Sequence, residues 1–249
     1  MPVRIITVFA TAALLSSCAA VVPHTLQTPL VQQRGETELS ANIGLHGTDV
    51  QAAHALTNRL TLTASGHQRI RPKHGHWAYT GEAGAGYGWS RVRHQWAIYG
   101  GLGYGAGYVF ETGGLEDDGP ATHHRVRYGY GYLQPTFRFT PSRNFGLGIA
   151  LKVAAFDLLR WRASTYRLVY DPNDPTFTGT NTTTVERPGF GGLTLQPGYN
   201  LAIGLTPHLQ LLVSQSFFLP LEEDRLPPLM YVATGLGLQC YFGGRPKAE

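Results

Sequence analysis

Between Glu111 and Arg125 the chain reads E-T-G-G-L-E-D-D-G-P-A-T-H-H-R, which sets Glu116, Asp117 and Asp118 close in sequence to His123 and His124. Carboxylates beside imidazoles can hold a divalent cation, or act as general acid and base near neutral pH. A stretch this rich in Gly and charge is also what a solvated surface loop looks like. Asp117, Asp118, His123 and His124 are therefore a candidate loop cluster, to which no catalytic role is assigned. A second polar stretch, D-P-N-D-P-T-F-T-G-T-N-T-T-T from Asp171, lacks the Gly and Glu that complete an EF-hand loop. His208, Ser214 and Ser216 lie along one stretch, and in an extended strand their ends are about 20 Å or more apart, too far for a dyad. No G-x-S-x-G, H-E-x-x-H or glycine-rich phosphate loop is present. The sequence assigns no catalytic residue, no metal ligand and no cofactor.

A third set of chemistry-bearing residues shows only once strands are drawn. From Trp77 to Phe110 the chain reads W-A-Y-T-G-E-A-G-A-G-Y-G-W-S, a turn at Arg91 to His94, then Q-W-A-I-Y-G-G-L-G-Y-G-A-G-Y-V-F. In the second arm Trp96, Ile98, Leu102, Tyr104, Ala106, Tyr108 and Phe110 share one parity, and Gln95, Ala97, Tyr99, Gly101, Gly103, Gly105 and Gly107 the other. Side chains alternate across a strand, so one face is bulky and apolar while the other is nearly bare. That pattern fits a barrel whose outside meets lipid and whose narrow interior is walled by small residues. Over Trp77 to Trp89 a strand tilted near 40° rises about 30 Å, the height of an apolar band with its two aromatic girdles. On this reading Glu38, Asn42, Glu82, Gln95 and Lys152 point inward, with Arg127 and Arg138 as further candidates. Glu38, Glu82 and Lys152 are expected to form a polar network in the lumen, because a lone buried charge is costly.

Bulk properties agree. Charged residues are only 14% of the 249, yet mean hydropathy is −0.13, because alternating strands hide their apolar faces from window averages. Beyond the N-terminus no apolar run approaches the roughly 20 residues of a membrane helix. The pI of about 9.1 comes from basic residues scattered among turns and strand ends, without the stripe that nucleic acid would require. Two cysteines, Cys18 and Cys240, exclude a disulfide framework.

Arg4, the apolar run from Ile5 to Leu15 and Leu15-Ser16-Ser17-Cys18 resemble the signal and lipobox of bacterial lipoproteins. The resemblance implies cleavage before Cys18 and acylation of that residue, a stable anchor at about 0.8 kcal/mol per buried CH₂. Ala19 in the next position implies sorting to the outer membrane. The passages P-L-V-Q-Q-R-G-E and G-T-D-V-Q-A-A-H-A-L-T-N-R-L-T-L-T-A are similar to the start of uncharacterised outer-membrane lipoprotein barrels of Bacteroidetes-type bacteria. That likeness implies location and fold, and carries no activity.

The organisation that follows is a signal at 1–17, a lipidated tether at 18–34, a barrel at 35–243 and a tail at 244–249. The tether, broken by Pro23 and Pro29, looks too polar for a core element. Ten strands are expected in a closed antiparallel outer-membrane-type β-barrel. A parity slip near Leu133 suggests a bulge before Pro135. L-Q-P at Leu133 recurs at Leu195, a weak internal repeat. Connections alternate between short (Thr57–Arg59, Arg91–His94, Thr140–Asn144, Thr206–His208) and long (His67–His76, Glu111–His124, Trp161–Arg187, Leu219–Pro228), with Gly47–Asp49 a short member of the long side. Short periplasmic turns and long outer loops would put both termini in the periplasm. The expected partner is outer-membrane lipid, through the wall and Cys18. The expected role is structural or surface interaction. A barrel enzyme, a narrow solute channel and a lipid-tethered lipocalin-like binding protein are the alternatives.

Overall fold

The computed structural model describes residues 20–22, 24–29, 31, 33–44, 47–71, 75–91, 93–112, 121–142, 144–170, 178–186, 188–222 and 230–243. Every regular element among them is a strand: β1 (Thr37–Gly44), β2 (Gly47–Ala55), β3 (Leu60–Arg71), β4 (His76–Arg91), β5 (His94–Thr112), β6 (Ala121–Ser142), β7 (Phe145–Tyr170), β8 (Thr178–Glu186), β9 (Gly189–Gly204), β10 (Leu209–Phe217), β11 (Leu219–Pro220) and β12 (Val232–Phe242). Ten of them close a ring of antiparallel pairs, β1 through β7, then β9, β10 and β12, with β12 returning to β1. β7 is the longest strand and has two partners: its first half, Phe145–Leu158, pairs with β9, and Arg162–Tyr170 pairs with β8. β8 and the two-residue β11 therefore stand outside the ring of ten.

The outer wall is apolar. Ile43, Leu102, Leu133 and Leu236 are among its most exposed side chains, Leu102 at 74%. Large apolar groups would not encircle a protein in this way if water were the solvent; a hydrocarbon layer removes the penalty. Aromatic rings border this band at both ends. Trp77 stacks on Tyr79 at 5.6 Å and Tyr79 meets Tyr104 at 6.5 Å towards the long loops. Tyr87 and Trp89 (6.0 Å) and Trp96 and Phe137 (4.5 Å) sit towards the short turns.

Several long connections are shorter than expected, because strand pairing continues into them. β3 and β4 run to Arg71 and from His76, β5 and β6 to Thr112 and from Ala121, and β7 and β8 fill most of the interval from Trp161 to Arg187. The expected bulge before Pro135 is absent. β5 and β6 stay in one register from His94↔Phe139 to Thr112↔Ala121, and β6 keeps a single parity. Tyr128, Tyr130 and Tyr132 face inward and are buried, whereas Gly129, Gly131 and Leu133 face outward. A run of aromatic residues on an inner face looked like a slip because the sequence reading took the aromatic face of each strand as the lipid-facing one.

The bare glycine face is explained by the same register. Tyr128 lies across from Gly105, Tyr130 from Gly103 and Tyr132 from Gly101. A Cβ at Gly103 or Gly105 would overlap the ring of Tyr130 or Tyr128. The glycines seat rings from the adjacent strand, in the manner of aromatic rescue across a pair, and do not bring opposite walls together.

Candidate functional site in the barrel lumen

The space inside the barrel is occupied by the chain itself. Described residues from Ala20 to Val31 are buried apart from the half-buried Gln27, yet they form almost no strand pairing. Ala20 and Val21 pack with Val109, Val126 and Tyr128 near the long-loop end, and the Val21 carbonyl accepts from the Met230 amide at 3.1 Å. Val31 packs with Ala53 and Ala55 at the short-turn end. The segment thus crosses the lumen end to end before Gly35, whose amide donates to the Ala55 carbonyl at 2.8 Å, leads into β1. The expectation that this stretch is too polar for a core element is corrected: prolines interrupt helix and sheet, but an extended chain needs neither if its carbonyls find donors elsewhere.

Those donors come from the wall. Gln196 Nε2 donates to the His24 carbonyl at 2.8 Å, Gln51 Nε2 to Thr25 at 2.6 Å and Asn200 Nδ2 to Leu26 at 2.6 Å. Gln134 Nε2 donates to Gln27 at 2.7 Å, an Arg138 guanidinium nitrogen to Thr28 at 2.6 Å and Gln95 Nε2 to Val31 at 3.3 Å. β2, β5, β6 and β9 all contribute, so the segment is held from several sides. The repeated L-Q-P now has a physical meaning. In both copies the Gln points inward onto a carbonyl of the threaded segment, while Pro135 and Pro197 lie on the outer face, where β7 runs between them. Small residues of the wall make room: a Cβ at Gly107 would overlap the Ala20 carbonyl, and one at Gly148 would overlap Thr28.

Charges are set around the same segment. Glu82 on β4 pairs with Lys152 on β7, and His24 Nε2 of the threaded segment lies 2.7 Å from the same carboxylate oxygen. Tyr130 donates its hydroxyl to Glu82 at 2.5 Å, and the Lys152 ammonium sits 4.3 Å from the centre of the Tyr132 ring. Each charge therefore has an opposite charge, a hydrogen bond or a π face, which is what burial demands. At the next residue of the segment, Asp49 on β2 is bonded to His67 on β3 at 2.9 Å and accepts the Thr25 hydroxyl at 3.1 Å. The chemistry available is electrostatic clamping of an extended peptide.

The structure joins some of the sequence candidates and separates others. Glu82 and Lys152 meet as expected. Glu38 is buried but does not join them; it sits by the short-turn end, within electrostatic reach of Tyr99, which Arg138 also influences. Arg138 is inward and Arg127 outward, so only one of these two belongs to the lumen. His123 and His124 are strand residues with opposite parity, which divides the expected loop cluster. His123 lies outside among Tyr108, Phe110 and Tyr166, hydrogen-bonded to the Tyr108 hydroxyl, while His124 faces inward, where Trp161 Nε1 donates to it at 3.3 Å. Asp117, Asp118 and Cys18 lie outside the described residues, as do Asp171, Asn173 and Asp174. His208 is in an exposed turn; Ser214 and Ser216 face the lumen, where Ser216 accepts from Gln196 at 3.0 Å. Among the described residues no three His, Cys, Asp or Glu side chains converge as a metal cage. His24, Asp49, His67, Gln51 and Asn200 were not read from sequence as a group. The available signal was an excess of inward amides, far more than two or three ion pairs could use.

No protein-family model and no curated protein matches the chain. Among solved structures it is similar to the outer-membrane protease OmpT of Escherichia coli, at 11% identity and a TM-score of 0.49, over 84% of this chain and 93% of that one. It is similar to Ail, the attachment invasion locus protein of Yersinia pestis, solved with the heparin analogue sucrose octasulfate, at 12% identity, a TM-score of 0.32 and coverage of 84% and 100%. It is also similar to the monoaromatic hydrocarbon channel CymD, at 7% identity, a TM-score of 0.30 and coverage of 85% and 90%.

Proposed function

We propose that this chain is an outer-membrane lipoprotein, anchored through an acylated Cys18, whose barrel is closed to solutes and serves a structural or surface-interaction role with its long-loop end outward. The observation that carries this reading is the lumen: the described residues between Ala20 and Val31 run through it, six inward side chains bind the carbonyls of that segment, and the Glu82–Lys152 pair with His24 crosses it. A solute pathway needs continuous water, and a barrel of about this size has little interior left once side chains fill it. An apolar outer band with two girdles supports membrane insertion, and the leader with its Leu15-Ser16-Ser17-Cys18 supports the anchor. Planar-bilayer conductance is the test. The intact protein is expected to be silent, and a variant lacking residues 20–31 is expected to give stable currents. Stable currents from the intact protein would sink the closed reading.

A further inference from the structure

The outer wall carries four arginines that the lumen does not use. On β6, Arg125 lies directly opposite Arg162 of β7, and Arg127 opposite Arg160. All four are exposed, whereas their neighbours Val126 and Tyr128 are buried inward. Their height is fixed by register: Arg125 pairs with Tyr108, and Tyr108 with Trp77 of the girdle nearer the long loops.

A bulge aims two of them. The β6–β7 register shifts between Arg127↔Arg160 and Tyr128↔Leu158, leaving Leu159 unpaired. Below this point Lys152, Ala154, Phe156 and Leu158 point inward and are buried; above it Trp161 takes the inner side and Arg160 and Arg162 the outer. Without the extra residue, both guanidiniums would be directed into the lumen. Bulges that re-aim side chains in this way are built features of a sheet.

Like charges directly opposite one another destabilise a strand pair, and the protein compensates only in part. Glu186 of β8 binds Arg162 at 2.5 Å and lies 3.7 Å from Arg160. Arg125 and Arg127 have no carboxylate partner among the described residues. Asp157, also outward on β7, lies below the bulge opposite Gly129. Four guanidiniums thus share one bound carboxylate among the described residues, at the level where amphipathic rings mark the headgroup layer.

We propose that Arg125, Arg127, Arg160 and Arg162 bind the phosphate groups of a lipid headgroup in the leaflet at the long-loop end. The guanidinium fork matches phosphate bidentately, and two facing pairs of forks suit a headgroup with more than one phosphate. Basic sites on a membrane protein's wall at this depth recognise anionic headgroups. The proposal rests on the reading that the ten strands span a membrane.

The test uses the whole barrel folded in neutral detergent, titrated with bis-phosphorylated lipid A and with the same lipid after dephosphorylation, binding being read by native mass spectrometry. The phosphorylated form is expected to bind about tenfold tighter or better. The R125Q/R127Q/R160Q/R162Q variant should lose that preference while keeping its heat-modifiable gel mobility. If the quadruple variant does not fold, R125Q/R127Q, which breaks no bond to a carboxylate, carries the test and must reduce the preference. Equal binding of the two lipids, or an undiminished preference in a folded variant, overturns the proposal. Competition by inorganic phosphate at concentrations equal to the lipid would assign the site to a free anion and overturn it as well. Failure of the barrel to insert into liposomes would sink the membrane reading itself, whereas insertion without phosphate preference would sink only the lipid site.

Discussion

Lys152 is held by the Glu82 carboxylate and by the faces of Tyr132 and Tyr130, 4.3 and 5.4 Å from their ring centres. Removing Lys152 leaves the buried Glu82 with His24 and the Tyr130 hydroxyl, and breaking a buried ion pair in this way costs about 3–5 kcal/mol. Lys152→Met should therefore lower stability by about that amount, while Glu82→Gln combined with Lys152→Met should recover most of it. Urea unfolding in detergent, followed by the gel shift between folded and unfolded forms, measures both. An unchanged midpoint in the single variant would mean that the pair does not hold the lumen. Both residues were legible in the sequence, because parity is regular in β4 and in β7 up to Leu158, and a charge on a glycine-rich face has nowhere to go but inward. His24 was not legible. It belongs to a stretch without periodicity, and only the closed ring brings it to Glu82.

At the scale of elements, the outcome depended on whether pairing or composition sets a strand's limits. β5 was read correctly because bulky and small residues alternate along most of it. β6 was misread because its rings point inward, over the glycines of β5, and a parity argument needs the partner strand to show which face is core. The threaded segment depends on β6 and β9 through the two repeated glutamines. Gln134→Ala and Gln196→Ala each leave a buried carbonyl without a donor, which costs about 1–3 kcal/mol. Faster proteolysis or hydrogen exchange of residues 24–28 in these variants, with the β5–β6 pair unaffected, is the expected result. Uniform loosening of the whole barrel would argue against a separable clamp. In β8, outside the ring, the Arg162 guanidinium holds the Glu186 carboxyl below the usual carboxylate range. A depressed carboxylate contributes stability above its unfolded pKa and loses it as pH falls through the folded one. Hydrogen exchange in the β7–β8 hairpin should accordingly rise only at pH below the ordinary carboxylate range, and Glu186→Gln should remove that dependence.

For the whole molecule, ten strands and a closed ring were legible because the lipid-facing alternation repeats in every strand and connection lengths alternate. The path of the N-terminal segment was not, since its hydrogen bonds come from residues far away in sequence, such as Gln196 to His24 and Arg138 to Thr28. That path bears on the expected topology. β12 ends at Phe242, beside Thr37 at the short-turn end, as expected. Ala20, however, packs at the opposite end beside Val109 and Val126. On the reading proposed above, an anchor two residues before Ala20 would be expected in the leaflet at the long-loop end, the outer one, instead of the inner leaflet that short turns alone would suggest. An epitope inserted between Ala19 and Ala20 should be stained by antibody on intact cells, and one added after Glu249 only after permeabilisation. Staining of both only after permeabilisation would show that the segment does not cross the lumen in the membrane, and would return the anchor to the inner leaflet. Cys18→Ser separates the two ingredients: it should abolish incorporation of labelled palmitate while the barrel, with residues 20–31 still threaded, remains non-conducting.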